Sequence, residues 1–336
     1  MSIIYSVMKL KNIKRYILYI LILLLILFII IRLFYNFKLN DVYINENEMN
    51  SEKTLKYVSS RGILKSCDIK PHIITSSTNK VTIDYSKIRE GSVVYVHGSA
   101  IPMFSLEKLP HRIILVSGDC DESIPTMVLS SGEFKNFIES EKIIHWFSQN
   151  AVIDHPKLTR IPIGMDYHSK ENPSEQEATL IRVRDAALPF NERKMKCYSN
   201  FHFTTTYTNM FSSFFGYDRL DAIGEINKDL IFYEPSRLPR TKSWENQAEY
   251  AFVVSPHGNG LDCHRTWEAL ILGCIPIVKT SPIDSLFDDL PVLIVNEWSD
   301  ITQELLDTTV ESFSNRQFNY SKLELSYWMN KIRSAI

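Results

Sequence analysis

Residues 251–279 constrain this chain more than any other stretch. An apolar run, Ala251 to Val254, leads into the turn Ser255-Pro256-His257-Gly258-Asn259-Gly260, and a short helix then leads to a second apolar run, Ile275 to Val278. Strand, glycine turn, helix, strand is the order in which parallel α/β sheets build nucleotide sites. Gly258 and Gly260 let backbone N–H groups come close to a ligand. Asp262 is expected to cap a helix from about Cys263 to Leu272, which Gly273 ends as its C′ residue. The free N–H groups and dipole of such a helix start favour a phosphate. Arg265, in the first turn, adds a bidentate partner for a diphosphate. Glu268 lies three residues on, on the same face, where a carboxylate can accept ribose hydroxyls. The dinucleotide fingerprint G-x-G-x-x-G is excluded, because its third glycine falls on Cys263, and no Walker A loop is present.

The second constraint is the run Tyr16 to Ile31, unbroken by charge and extended to Phe37 if Arg32 snorkels. It predicts one transmembrane helix over residues 16–37. Lys9, Lys11, Lys14 and Arg15 precede it, so the positive-inside rule leaves residues 1–15 as a cytoplasmic tail and sends the rest across the membrane. No small-residue cleavage site follows, which favours a signal anchor over a cleaved peptide. Residues 38–60 are polar and without period, and read as a stem.

With 37 Lys+Arg against 39 Asp+Glu, the chain carries no basic footprint for nucleic acid. The five cysteines are scattered without zinc-finger spacing, so no metal centre is expected from them, and one or two disulfides with at least one thiol left over remain open. Asn319-Tyr320-Ser321 is a glycosylation sequon.

The rest reads as two α/β units. In the first, residues 61–170, the runs Val93 to Val96 and Arg112 to Val116 end in polar turns and predict buried parallel strands. Glu133 to Ser148 is expected to be helical and Leu158 to Met165 a strand. Residues 171–195 read as a helical linker. The second unit, 196–336, is expected to carry strands at Cys197 to Phe203, Leu230 to Tyr233 and Pro291 to Val295. Helices are expected within Asn209 to Asn227, at Ser243 to Tyr250 and at Asp300 to Leu306. A terminal helix places Leu325, Trp328, Met329, Ile332 and Ile336 on one face, as core or interdomain packing.

The segment Tyr250 to Val278, with Arg265, Trp267-Glu268-Ala269-Leu270 and Gly273-Cys274-Ile275-Pro276, resembles the nucleotide-sugar-binding region of exostosin-like glycosyltransferases. The resemblance covers roughly thirty residues, extends loosely to Trp298, and is only topological in the N-terminal half. It implies an α/β, GT-B-like fold of two Rossmann-like domains behind one transmembrane helix, in a type II Golgi enzyme with a lumenal catalytic domain. It also implies inverting transfer from a nucleotide sugar to a glycan or glycoprotein, with Arg265 on the donor diphosphate and Glu268 on the ribose, and no metal or other cofactor. The turn Ser255 to Gly260 departs from the simpler exostosin pattern.

Other donor-side candidates are Ser255, His257, Gly258, Asn259, Gly260, His264, Lys279 and Arg240, with Arg237, Thr280 and Ser281 nearby. On the acceptor side Asp121 is the preferred general base, with Asp119, His97 and Asp166 as alternatives. Two further readings are kept. In one, Asp119-Cys120-Asp121 is the D-x-D metal motif of a GT-A-like, metal-dependent transferase. In the other, the chain is a membrane-tethered sugar-binding or scaffolding protein without turnover.

Overall fold

The computed structural model describes residues 51–72, 78–168, 172–201 and 216–335. The expected tail, membrane helix and most of the stem lie outside them. Among the described residues, no helix is long and apolar enough to cross a membrane.

Two parallel sheets form the frame. The first contains β1 (Ser92–His97), β2 (Ile113–Gly118), β3 (Ile143–Ser148) and β4 (Leu158–Arg160), in that order. The second contains β5 (Lys194–Ser199), β6 (Ile231–Tyr233), β7 (Tyr250–Val254), β8 (Ile275–Lys279) and β9 (Leu293–Val295), in the order β6-β5-β7-β8-β9. The α/β, Rossmann-like character expected from sequence is therefore present in both halves. In the second sheet the chain runs from β5 outward to β6 and returns to β7 on the other side. Between β5 and β7 lies the topological switch point, where open parallel sheets form their ligand crevice.

Alternation along the strands sorts side chains into three apolar cores. Val94, Val96, Ile113 and Leu115 face an outer core of the first half, and Phe252, Val254, Ile275 and Ile277 an outer core of the second. Val93, Tyr95, Ile114 and Val116 from the first sheet join Val253 and Val278 from the second in one shared core. The two halves are thus fused along their inner faces.

The helices are α1 (Ser60–Ser66), α2 (Ser131–Ile138), α3 (Pro173–Ala186), α4 (Gly216–Glu225), α5 (Arg240–Gln247), α6 (His264–Ile271), α7 (Gln303–Ser314) and α8 (Leu325–Arg333). The expected stripe on α8 is buried at Leu325, Trp328, Met329 and Ile332 and belongs to the shared core together with Ile63 and Leu64 of α1. Arg333 also reaches Asp68, at 2.8 Å. The end of the chain therefore ties the second half back to the first.

Two expectations need correction, and one open question closes. Residues 133–148 are not one helix: α2 stops at Ile138, and Ile143 begins β3. Phe137 and Trp146 still meet, with ring centroids 5.2 Å apart, because helix and strand pack against each other in one core. Nor does the stem extend to residue 60. Tyr57 and Val58 are buried, Tyr57 bridges to Glu324, and Ser59 caps α1 by accepting the Gly62 N–H. The buried carboxylate of Glu177 on α3 holds this entry, accepting the N–H groups of Lys56 and Tyr57 at 3.1 and 2.9 Å and the Tyr167 hydroxyl at 2.8 Å. Finally, all five cysteines are free thiols.

Candidate active site

The loop after β7 meets the carboxyl ends of the first sheet. Asn150, just past β3, donates to the Cys120 carbonyl and accepts the Asp262 N–H, at 3.2 and 3.0 Å. Asp262 accepts the Ile163 N–H at 2.7 Å and the Trp267 indole N–H at 2.8 Å. Asp262 was expected to cap the helix; instead Cys263 is the N-cap residue, without a side-chain capping bond, and Asp262 latches the two halves. Burial pushes its carboxyl up to about 6.

The glycines of the turn also serve closure. Neither Gly258 nor Gly260 has a positive φ. A Cβ on Gly260 would stand 2.8 Å from the Asn150 amide nitrogen and 3.0 Å from the Asp121 carbonyl oxygen. Gly260 therefore admits the opposite half, where the sequence suggested a ligand. Gly273 ends the helix as expected: with φ at +73° it donates to Leu270 while Cys274 donates to Ala269, a Schellman closure.

Two guanidinium groups flank the turn. Half-buried Arg265 lies with its carbon 5.4 Å from the Phe201 ring centroid and donates to the Pro256 carbonyl at 3.3 Å. Phe201 follows β5 and Pro256 follows β7, so this arginine sits at the switch point. Burial lowers its guanidinium to about 10, and the charge of Arg219 adds to the effect. Arg219 of α4 faces the same turn, its terminal nitrogen 3.2 Å from where a Gly258 Cβ would stand. The sequence reading did not single out Arg219; its register on a helix beginning beside the switch point was the available signal.

Glu268, buried one turn inside α6, lies 3.7 Å from Arg240 at the start of α5. Arg240 also pairs with Asp166 at 2.9 Å and donates to its backbone carbonyl and to Gln176. It links the halves around Glu268 and is not directed at a phosphate. His257 donates its Nδ1–H to the Leu261 carbonyl and its backbone N–H to Asp218, both at 2.8 Å, and Ser255 bonds Thr266 at 2.8 Å. These two residues shape the turn from within. Lys279 pairs with Glu297, Thr280 and Ser281 bond Asp284, and Arg237 is exposed. Asn259 remains exposed and donates to the Asp121 carboxylate at 3.4 Å.

On the acceptor side the two aspartates separate. Asp121 is exposed at the seam. Asp119 is buried, with φ at +53°, and its carboxylate lies 2.9 Å from Arg61 of α1 and 3.8 Å from His97. The Arg61 pair removes Asp119 from the role of solvent-facing base and from a shared D-x-D metal site. His97 is sealed off too, at 1% exposure, and burial depresses its imidazole to about 4. Asp166 lies with His168 and His264 in a group whose ligand atoms fall within 4.8 Å of one another, the one such group found among the described residues. His168 escaped the sequence reading, although its spacing from Asp166 after an apolar run was a usable signal.

Compared with known proteins, the chain matches no family model and no curated protein sequence.

Proposed function

We propose that the chain is a membrane-anchored, inverting glycosyltransferase of GT-B-like, exostosin-like kind. It transfers a sugar from a nucleotide sugar to a glycan or glycoprotein on the lumenal side of the Golgi, anchored through residues 16–37. The observation that carries this reading is the placement of Arg265 and Arg219 on one turn at the β5/β7 switch point. Together the two guanidinium groups set positive charge at one turn, and a leaving diphosphate is the anion that planar guanidinium forks hold through paired, charge-assisted hydrogen bonds. The start of α6 adds its free N–H groups to the charge that develops as the glycosidic bond breaks. Glu268 takes the ribose. Asp121, the exposed carboxylate beside Asn259, accepts the proton of the acceptor hydroxyl as that oxygen attacks the anomeric carbon. No metal at Asp119 and Asp121 is needed.

Nucleotide release from UDP-, GDP- and CMP-sugars by the purified full chain, with a glycan mixture as acceptor, tests the proposal. Turnover restricted to one nucleotide class is expected. Binding of sugars without turnover of any donor would favour the non-catalytic reading and sink this one.

A further inference from the structure

We propose that Asp166, His168 and His264 bind a first-row divalent transition-metal ion. Two imidazoles and one carboxylate are a donor set that suits zinc, iron, cobalt, nickel and manganese better than calcium or magnesium. Their possible ligand atoms already lie within 4.8 Å of one another, and the Asp166 Oδ1 to His168 Nδ1 distance is 3.2 Å. Two ligands about 2.1 Å from a tetrahedral ion stand roughly 3.4 Å apart, so this pair is already near coordination spacing and small side-chain rotations bring in the third.

The surroundings orient each ligand. His264 donates Nδ1–H to the Gly164 carbonyl at 2.6 Å, which fixes its tautomer and leaves the Nε2 lone pair to coordinate. A backbone carbonyl on the far nitrogen is the usual support of a metal-bound histidine. Arg240 holds Asp166 through Oδ2 at 2.9 Å, and Oδ1 is the oxygen turned to His168. The two imidazoles lie with centroids 5.8 Å apart.

Charge permits a cation. Arg240 is opposed by both Asp166 and Glu268, and Arg61 is matched by Asp119. These side chains leave one net negative charge before an ion arrives. The positive end of α6 acts against the cation, but this effect is small beside three coordination bonds. Three protein ligands leave a tetrahedral ion one position for water or a phosphate oxygen. The site does not depend on the proposed transferase activity, since the ligands come from the loop after β4 and the first residue of α6 whatever the cleft binds.

The test is metal content. The full chain is stripped with chelator, equilibrated with Zn²⁺ and assayed for bound zinc, and Co²⁺ is added separately to read the visible spectrum of a tetrahedral imidazole-carboxylate site. The expected result is one zinc per chain, displaced cobalt absorbance on zinc addition, and at least about tenfold weaker binding in His168→Ala. His168 is exposed, so this variant keeps the fold; His264→Gln serves as a second ligand variant, and His111→Ala, an exposed histidine elsewhere, is the control. Zinc held equally by wild type, His168→Ala and His264→Gln, or no zinc held by wild type, overturns the proposal.

Discussion

His97 offers a quantitative check on the buried cluster at the end of β1. Its side chain is fully enclosed, neither ring nitrogen has a hydrogen-bond partner among the described residues, and Asp119 stands 3.8 Å away, engaged at 2.9 Å by Arg61. Burial therefore outweighs the attraction of Asp119, and the imidazole falls from its usual 6.5 to about 4. Between pH 4 and 6.5 the unfolded chain binds a proton there that the folded chain does not, so stability rises with pH across that window and is lost on acidification. The interval of 2.5 units corresponds to about 3 kcal/mol, or roughly 4–5 °C in Tm for a protein of this size. His97→Gln removes the titration. Thermal melts of the wild-type and variant full chains from pH 4 to 7.5, read as the difference between the two curves, isolate the group from every other titration. The difference is expected to rise from pH 4 and level off near 6.5. A flat difference would refute the burial argument, and one that falls through pH 6.5 and above would mean that His97 is protonated against Asp119.

Gly260→Ala and Gly258→Ala separate closure from ligand access. The first places a methyl against a backbone oxygen and is expected to cost about 1–3 kcal/mol in thermal melts, whereas the second meets the flexible end of Arg219 and, at ordinary contact distance, the Cys263 sulfur, and costs less; equal losses would deny Gly260 its role at the seam. Asp121→Asn is expected to lower kcat by about 10²–10⁴-fold while leaving donor affinity unchanged, and full activity in that variant would move the general base elsewhere.

The residues best read from sequence were those whose meaning is local. The strand-turn-helix-strand of β7, α6 and β8 was legible because apolar runs and Gly273 impose their conformation within a few residues. The α8 stripe was legible because helical spacing fixes which side is apolar. Residues 143–148 were misread because Phe134, Phe137, Ile138 and Trp146 follow helical spacing across a break. Only the pairing of Ile143 to Ser148 with β2 shows the alternation that makes it a strand. Contacts between distant residues were least legible. Arg61 reaches Asp119 across 58 positions, and Asp262 reaches Ile163 across 99, and each withdraws a carboxylate from the role its local sequence suggested. Glu268 had announced its need for a partner by sitting on an apolar helix, but only the fold identifies that partner as Arg240.

In the proposed function the β5/β7 switch point, with Arg219, Arg265 and Glu268, holds a nucleotide. The most direct measurement is a thermal-shift comparison of the wild-type and Glu268→Gln full chains against UDP, GDP, CMP and their sugars. At a hundredfold excess over Kd a bound nucleotide adds about 2.7 kcal/mol to the folded state. One nucleotide class is therefore expected to raise the wild-type Tm by roughly 4 °C. In Glu268→Gln the loss of one charge-assisted hydrogen bond, about 1.5–3 kcal/mol, should remove most of that gain. A wild-type Tm unmoved by every nucleotide, or the same shift in both proteins, would contradict nucleotide binding at this switch point.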